Sequence, residues 1–240
     1  TPTSASTPFW FAGILAFINL VSIYFFFTET NMHIDKARVV NYFSSVRNLF
    51  KIKTLDREVR YLLIVSFLFN AGFAFFTSFF NVYLTNKFNF GVGDIGNFFG
   101  FVGICSILTQ LVVVRYVSKK WKHIPVLKFA YIMVAVATFA YLLPTKAWMI
   151  FLVTPFFSIP SGLQMANFSA LLTSRTPVNM RGEMIGISAS FNSLGQALPP
   201  IFAGLLAVAF APSAPILIAS LFMLGAGVLF WVTESEVVEE

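Results

Sequence analysis

The chain has 240 residues, of which 58% are hydrophobic and only 11% charged, and its mean hydropathy is +0.80. Water-soluble domains carry about 25% charged residues, so this composition excludes them and indicates an integral membrane protein in contact with the lipid bilayer. The formal net charge is +6. The basic residues flank apolar segments instead of forming one stripe, so membrane topology explains them and we expect no nucleic-acid partner.

Seven apolar segments are long enough to cross a bilayer, which takes about 20 residues. The predicted fold is therefore an all-α polytopic membrane protein with seven transmembrane helices. The last two segments are separated only by a turn containing Pro212 and Pro215. The predicted spans are Pro8–Phe27, Tyr61–Leu84, Ile95–Val114, Pro125–Leu143, Trp148–Thr173, Met184–Phe210 and Ser213–Val232.

The distribution of Lys and Arg predicts the orientation. Fourteen lie at one side of these spans and only Lys87 and Lys146 at the other. Because cytoplasmic loops carry the excess of basic residues, the N-terminus is predicted to be extracytoplasmic and the C-terminus cytoplasmic. The expected location is the bacterial inner (plasma) membrane.

This topology divides the chain into four parts. Residues 1–28 form an extracytoplasmic loop and the first transmembrane helix, and residues 29–60 form a basic cytoplasmic linker. In the linker, Val39, Phe43, Val46 and Phe50 fall on one helical face, which fits either an amphipathic surface helix or a disordered segment. Residues 61–233 form a six-helix bundle, in which Asp94 is expected to be the N-cap of the third span. Residues 234–240 are an acidic cytoplasmic tail.

Motifs at several places resemble the C-terminal half of the major facilitator superfamily, closest to the tetracycline- and multidrug-efflux branch of drug–proton antiporters. The first span and its exit Phe27-Thr28-Glu29-Thr30 are similar to the sixth helix of that family. The segment 91–110 is similar to its eighth helix. Two further similarities, to the turn before the eleventh helix and to a Gly/Pro-rich antiporter motif, are carried by Arg175, Arg181, Gly182, Glu183, Gly195, Pro199, Pro200 and Gly204.

The resemblance implies that the chain covers the sixth to twelfth helices of such a transporter. A five-helix N-terminal segment would then come from the same gene or from a separate chain. The motif residues just named would serve gating or structure, with Arg181 near the cytoplasmic gate. One stretch departs from the family pattern, because residues 114–121 hold neither the Gly nor the Asp of the cytoplasmic loop motif.

The sequence offers little for chemical catalysis. The membrane spans contain no interior Asp, Glu or His, which would be the default groups for proton coupling. No spacing indicates a metal site, a phosphate loop or a nucleophile with its base, so we expect neither an enzyme nor a cofactor. His33 and His123 are predicted to lie on the surface of cytoplasmic loops, and Cys105 is a single thiol that can form no intrachain disulfide.

Uncharged polar residues inside the spans are the remaining signal. Ser188, Asn192 and Gln196 repeat every four residues and so form one stripe, with Asn192 predicted to face a cavity together with Gln164 and Asn70. The alternative is that these side chains only hydrogen-bond between helices. The predicted substrate-binding set is Asn70, Phe73, Thr77, Gln110, Gln164, Asn167, Ser188, Asn192 and Gln196.

From these features we expect a secondary active transporter, or part of one. It would export a hydrophobic or amphiphilic small molecule in exchange for protons, by alternating access. An uptake facilitator for a small neutral solute is an alternative within transport. A non-transporting membrane subunit or scaffold is the alternative from a different class.

Overall fold

The structure is a computed structural model that describes residues 7–27, 56–209, 211 and 213–239. Within these ranges the regular structure is entirely helical. The predicted amphipathic helix over residues 39–50 lies outside the described residues. The chain divides into two compact units, Thr1–Asn41 and Tyr42–Glu240. The all-α membrane class predicted from the sequence is confirmed.

The first unit contributes one helix, α1 (Thr7–Phe26). It holds no charged residue, and its large apolar side chains from Trp10 to Phe26 are exposed. A helix that is apolar on all sides and exposed suits a lipid environment.

The second unit contains the remaining helices: α2 (Arg57–Phe88), α3 (Val92–Lys120), α4 (His123–Ala140), α5 (Ala147–Ser174), α6 (Arg181–Ala197), α7 (Pro199–Ala209) and α8 (Ala214–Glu239). By length and composition, five of the described helices can cross a membrane, namely α2, α3, α4, α5 and α8. Most of their predicted boundaries shift outwards by a few residues, because polar helix ends extend beyond the apolar core of each span.

The predicted sixth span, 184–210, is not one continuous helix. It begins earlier, at Arg181, and is broken at Leu198 into α6 and α7. Pro199 and Pro200 have no N–H groups to donate to the carbonyls four residues earlier, so the helical hydrogen-bond ladder is interrupted there. The 17 residues of α6 and the 11 of α7 are each short for a membrane crossing.

Helix α3 departs from expectation at both ends. Its N-cap is Gly91, and Asp94 lies three residues further on, where its carboxylate accepts a hydrogen bond of 3.0 Å from the Gly91 N–H. The prediction that Asp94 is the N-cap was therefore wrong, although its carboxylate does cap the helix. Further along, residues Thr109–Val114 form a π-helical segment before the helix resumes at Arg115.

Neighbouring helices of the second unit pack in a fixed order. Helix α3 packs on α5, α5 on α4, α4 on α8, α8 on α2, and α2 on α6 and α7. Glycines allow two of these close approaches. A Cβ at Gly72 would lie 2.8 Å from the Ala219 carbonyl oxygen of α8, and a Cβ at Gly162 would lie 2.7 Å from Thr109 of α3. Small residues at such crossings are the usual means of helix association in membranes.

At one end of the bundle, aromatic side chains of α2 and α5 pack together with Tyr141, the residue that follows α4. The ring of Phe76 lies 4.5 Å from that of Phe80 and 5.1 Å from that of Phe157, measured between centroids. Beside them the Tyr83 hydroxyl donates to the Tyr141 carbonyl oxygen at 3.0 Å, and Lys87 donates to the Tyr83 hydroxyl at 2.8 Å. Ring contacts and hydrogen bonds thus link the helices here, beside a concave space of about 370 Å³ that Tyr83, Asn86, Lys87, Leu142 and Ser213 line.

Candidate functional site

A groove lies between α2, α5 and α6, with a volume of about 360 Å³. Its lining combines aromatic rings with uncharged polar groups, and no charged side chain contributes to it. Concave sites of this size with mostly apolar walls and a few polar groups are typical of small-molecule binding. The lining residues are Ser66, Phe69, Asn70, Phe73, Ser161, Gln164, Met165, Phe168, Ser169, Asn192 and Gln196.

A hydrogen-bond network joins the α2 and α6 walls of this groove. The Asn192 side-chain oxygen accepts from the Ser66 hydroxyl at 2.5 Å and from the Asn70 amide nitrogen at 3.0 Å. The Asn70 side-chain oxygen in turn accepts from the Gln196 amide nitrogen at 3.1 Å. Asn70 also donates to the Ser66 carbonyl oxygen at 2.8 Å. These four side chains hold the two helices in register.

The network fixes which end of the Asn192 amide meets the groove. Its oxygen already accepts from two donors, so the Nδ2 group is the end of the amide that retains hydrogen-bonding capacity. Asn192 thus offers hydrogen-bond donors at the groove, and a ligand oxygen could accept from them.

A glycine makes this close approach of α6 to α2 possible. Gly195 is buried, and a Cβ placed on it would lie 2.8 Å from the Phe67 carbonyl oxygen and 3.2 Å from the Cβ of Asn70. A larger residue would push α6 away from α2. Gly195 was predicted to serve gating or structure, and the structure places it at this crossing.

The α5 wall carries another predicted amide, Gln164. Gln164 is buried, and its amide nitrogen donates to the Tyr131 hydroxyl of α4 at 3.2 Å. Because the nitrogen is used in this way, the Gln164 side-chain oxygen remains as an acceptor. Met165 is the next residue and Phe168 lies one turn further along α5, and both provide apolar surface to the groove.

The structure brings five of the nine predicted binding residues together at the groove, and four lie elsewhere. Ser188 is buried one turn before Asn192 and does not line the groove. Thr77 is exposed and its hydroxyl donates to the Phe73 carbonyl oxygen of its own helix. Gln110 is exposed in the π-helical segment of α3. The five at the groove are Asn70, Phe73, Gln164, Asn192 and Gln196.

Asn167 and His123 form a separate contact. The Asn167 amide nitrogen donates to the Leu163 carbonyl oxygen at 2.8 Å, so its side-chain oxygen is the acceptor for His123 Nδ1 at 2.9 Å. The geometry therefore assigns a proton to Nδ1. His123 is the first residue of α4 and is half-buried, so the prediction of a surface loop histidine was wrong. Asn167 explains why His123 is half-buried, because its hydrogen bond to the imidazole holds the ring against α5.

Sequence reasoning left six lining residues out of the predicted set. Ser66 lies four residues before Asn70 and one helical turn away from it, so its spacing could have indicated a shared face. The aromatic and methionine residues gave no distinguishing signal, since the chain contains 31 Phe. The six are Ser66, Phe69, Ser161, Met165, Phe168 and Ser169.

The predicted gating residue Arg175 holds three helices together at the end of the bundle where α2 begins. It follows the last residue of α5 and donates two hydrogen bonds, of 2.6 and 2.7 Å, to the buried carboxylate of Glu234 in α8. Its Nε also lies 3.3 Å from a carboxylate oxygen of Glu58 in α2. Burial lowers the pKa of the Arg175 guanidinium, but the hydrogen bonds and charge of Glu234, with the charge of Glu58, raise it above its ordinary value overall.

The other predicted gating residues lie along α6 and α7. Arg181 and Gly182 begin α6 and are exposed, and Glu183 follows them, half-buried. Pro199 and Pro200 begin α7, and Gly204 lies within it, with the Phe79 ring 4.0 Å from the position of a Cβ. The ion pairs at the C-terminal end of α5 are those of Arg175 with Glu58 and Glu234.

The polar groups that line the groove are all amides and hydroxyls. Among the described residues no cluster of His, Cys, Asp or Glu could hold a metal ion. The groove combines aromatic walls with amide donors and acceptors, inside a helical bundle of apolar surface. Together the fold and the groove define a helical membrane protein with a concave space of small-molecule size between its helices.

Comparison with known families agrees with this class. The family model of the Major Facilitator Superfamily matches residues 2–163, more than half of the chain. The chain therefore belongs to the Major Facilitator Superfamily and is a membrane transporter of that type. The match ends within α5, so the α6 wall of the groove lies beyond it. No curated protein matches the sequence.

Proposed function

We propose that this chain provides the C-terminal half of a proton-coupled exporter of hydrophobic or amphiphilic small molecules, in the tetracycline and multidrug branch of the superfamily. The groove between α2, α5 and α6 is its substrate pathway, used by alternating access. In this proposal the end of the bundle at Arg175 faces the cytoplasm of a bacterial cell, because most of the described Lys and Arg residues lie at that end.

The observation that carries the proposal is the composition of the groove. Four amides share it with three aromatic rings: Asn70, Gln164, Asn192 and Gln196 with Phe69, Phe73 and Phe168. Binding a charged molecule there would remove the charge from water without a counter-charge, which is unfavourable. An uncharged molecule with an apolar body and a few polar atoms matches the lining.

The proton pathway requires a contribution from outside this groove. The described acidic residues lie at the ends of the helices, as Glu58 and Glu234 do, and not at the groove. The proposal therefore includes a five-helix segment that packs with α1 to complete the other half of the transporter. That half would supply the titratable group and the second wall of the cavity.

Efflux of Nile red, an uncharged apolar dye, tests this proposal in cells that express the complete transporter. We expect energised cells to lose dye faster than cells with an empty vector, and a protonophore to abolish the difference. Asn192→Leu removes the acceptor that Ser66 and Asn70 share and should slow efflux at least about tenfold, equivalent to 1.4 kcal/mol.

Ser190→Ala is the matched control, because the Ser190 hydroxyl donates only to the Gly186 carbonyl oxygen of its own helix. Its efflux should equal that of the unmodified protein. Normal efflux by Asn192→Leu at equal expression would refute the groove as the pathway. Efflux that persists with the protonophore would refute proton coupling and leave the groove assignment intact.

A further inference from the structure

The C-terminal end of α3 and the turn that leads to α4 carry a dense group of exposed cations. Arg115, Lys119, Lys120 and Lys122 lie within eight residues of each other, and all four side chains are exposed. We call these four residues, with Tyr116 and Trp121, the basic turn. These residues do not line the proposed transport groove. They lie in the stretch 114–121, which has neither the Gly nor the Asp of the family's cytoplasmic loop motif.

The local fold directs these cations outwards. On the inner side of the same segment, Val113, Val114 and Val117 pack against Val126 of α4 and Leu163 of α5. The apolar side chains thus anchor the segment to the bundle, and the charged side chains are left on the opposite side. This arrangement gives the basic turn a fixed location at the surface of the bundle.

Two large aromatic side chains lie among the cations. Tyr116 is 63% exposed and Trp121 is 57% exposed. Tyr and Trp are enriched at the boundary between hydrocarbon and headgroups, where an apolar ring with one polar atom is favoured. Their presence places the basic turn at the level of the lipid headgroups.

Among the residues that the structure describes, none of the four cations of the basic turn forms an ion pair with an Asp or Glu. The sequence contains no Asp or Glu between Asp94 and Glu183. Helix connectivity places Glu58 and Glu234 at the same end of the bundle, but both carboxylates contact Arg175. The positive charge of the turn is therefore available to a partner.

We propose that the basic turn binds the headgroups of anionic phospholipids. Clusters of four or more Lys and Arg next to a membrane helix attract anionic lipid, and the attraction falls off within about one Debye length. The charge, the exposed aromatic rings and the position at the end of α3 all match a lipid surface. This inference does not depend on the identity of the transported substrate.

Fluorescence quenching by brominated lipids tests the proposal. In a variant that keeps Trp121 and replaces Trp10, Trp148 and Trp231 by Phe, Trp121 is the only Trp in the chain. The protein is reconstituted in phosphatidylcholine vesicles that contain brominated phosphatidylglycerol or brominated phosphatidylcholine. We expect about threefold preferential quenching by the anionic lipid at 0.1 M salt, and loss of the preference at 1 M salt because of screening.

Replacing Lys119, Lys120 and Lys122 together by Gln should abolish the preference, and Arg115→Gln alone should reduce it. A second variant that keeps only Trp148, near Lys146 at the other end of the bundle, is the control and should show no preference. If the emission of Trp148 is unchanged when the three lysines are also replaced by Gln, the bundle is still folded in that variant.

Three results would overturn the proposal. One is equal quenching of Trp121 by the two brominated lipids, and another is a preference that survives the triple Gln substitution. The third is displacement of the anionic lipid by millimolar inorganic phosphate, which would show a site for free phosphate instead of a lipid surface.

Discussion

At the scale of single residues, charge and polarity are separated along the bundle. The groove uses amides and hydroxyls such as Asn192 and Ser66, which can be buried once they are hydrogen-bonded. Charged side chains are placed at the ends of helices, where Arg175 binds Glu234 and Glu58. Loss of the Arg175 side chain would therefore leave the buried carboxylate of Glu234 without this partner.

We expect Arg175→Ala to lower the free energy of unfolding by about 3–5 kcal/mol, because it leaves the buried Glu234 carboxylate unpaired. Denaturant unfolding of the purified protein in detergent measures this change. Arg181→Ala removes an exposed cation of the same charge and should change stability by less than about 0.5 kcal/mol. Equal effects of the two substitutions would contradict the role assigned to Arg175.

The pH dependence of this contact has a definite sign. The pKa of Arg175 is raised in the folded protein, so its contribution to stability is complete below the ordinary arginine pKa and is lost only as pH rises through the higher folded value. The difference in stability between the unmodified protein and the Arg175→Gln variant should therefore remain constant from roughly pH 7 to pH 10. A difference that shrinks within this range would contradict the assignment.

At the scale of elements, α6 combines two features that the sequence shows plainly and one that it does not. The four-residue spacing of Asn192 and Gln196 and the helix break at Pro199 can be predicted from the chain. The contact of Gly195 with the Phe67 carbonyl oxygen depends on how α6 crosses α2. Sequence periodicity describes one helix at a time and carries no information about that crossing.

We expect Gly195→Ala to disrupt the crossing of α6 on α2. The added Cβ would lie 2.8 Å from a backbone oxygen, so the helices must separate and the network at Asn192 must lengthen. The loss of stability should be about 1–3 kcal/mol, as for overpacked sites. Gly186→Ala on the same helix is the control, because a Cβ there meets nothing within 4 Å. Since Ala is the better helix former, that variant should be as stable or slightly more stable.

A melting experiment on the two glycine variants in the same detergent decides this prediction. A lower melting temperature for Gly195→Ala alone supports the close crossing. If both variants melt like the unmodified protein, α6 does not pack on α2 as the structure shows.

Because sequence periodicity does not show how helices cross, only part of the site could be predicted. Asn70, Gln164 and Asn192 stood out as amides in apolar segments, and the structure brings them to one groove. Asn167 stood out in the same way but lies on another face, against His123. A polar residue in a span indicates a partner, and only the packing of helices decides whether that partner is a cavity or another side chain.

At the scale of the whole molecule, we propose that the helices of the second unit form one wall of a transport pathway. Helix α3 is mostly exposed, whereas α2 is largely buried, so the second unit has an inner and an outer side. The groove opens between α2, α5 and α6, where these helices leave space instead of packing fully. The central claim is that water and substrate reach Asn192 through this opening.

Reactivity of single cysteines in native membranes tests that claim most directly. With Cys105 replaced by Ala, Asn192→Cys should react with a small water-soluble thiol reagent, since position 192 lines the groove. Leu194→Cys is the control, because Leu194 is 40% exposed but lies outside the groove lining, where lipid excludes the reagent. We expect the cysteine at position 192 to be labelled at least about tenfold faster than the cysteine at position 194. Equal rates, or an unreactive cysteine at 192, would contradict it.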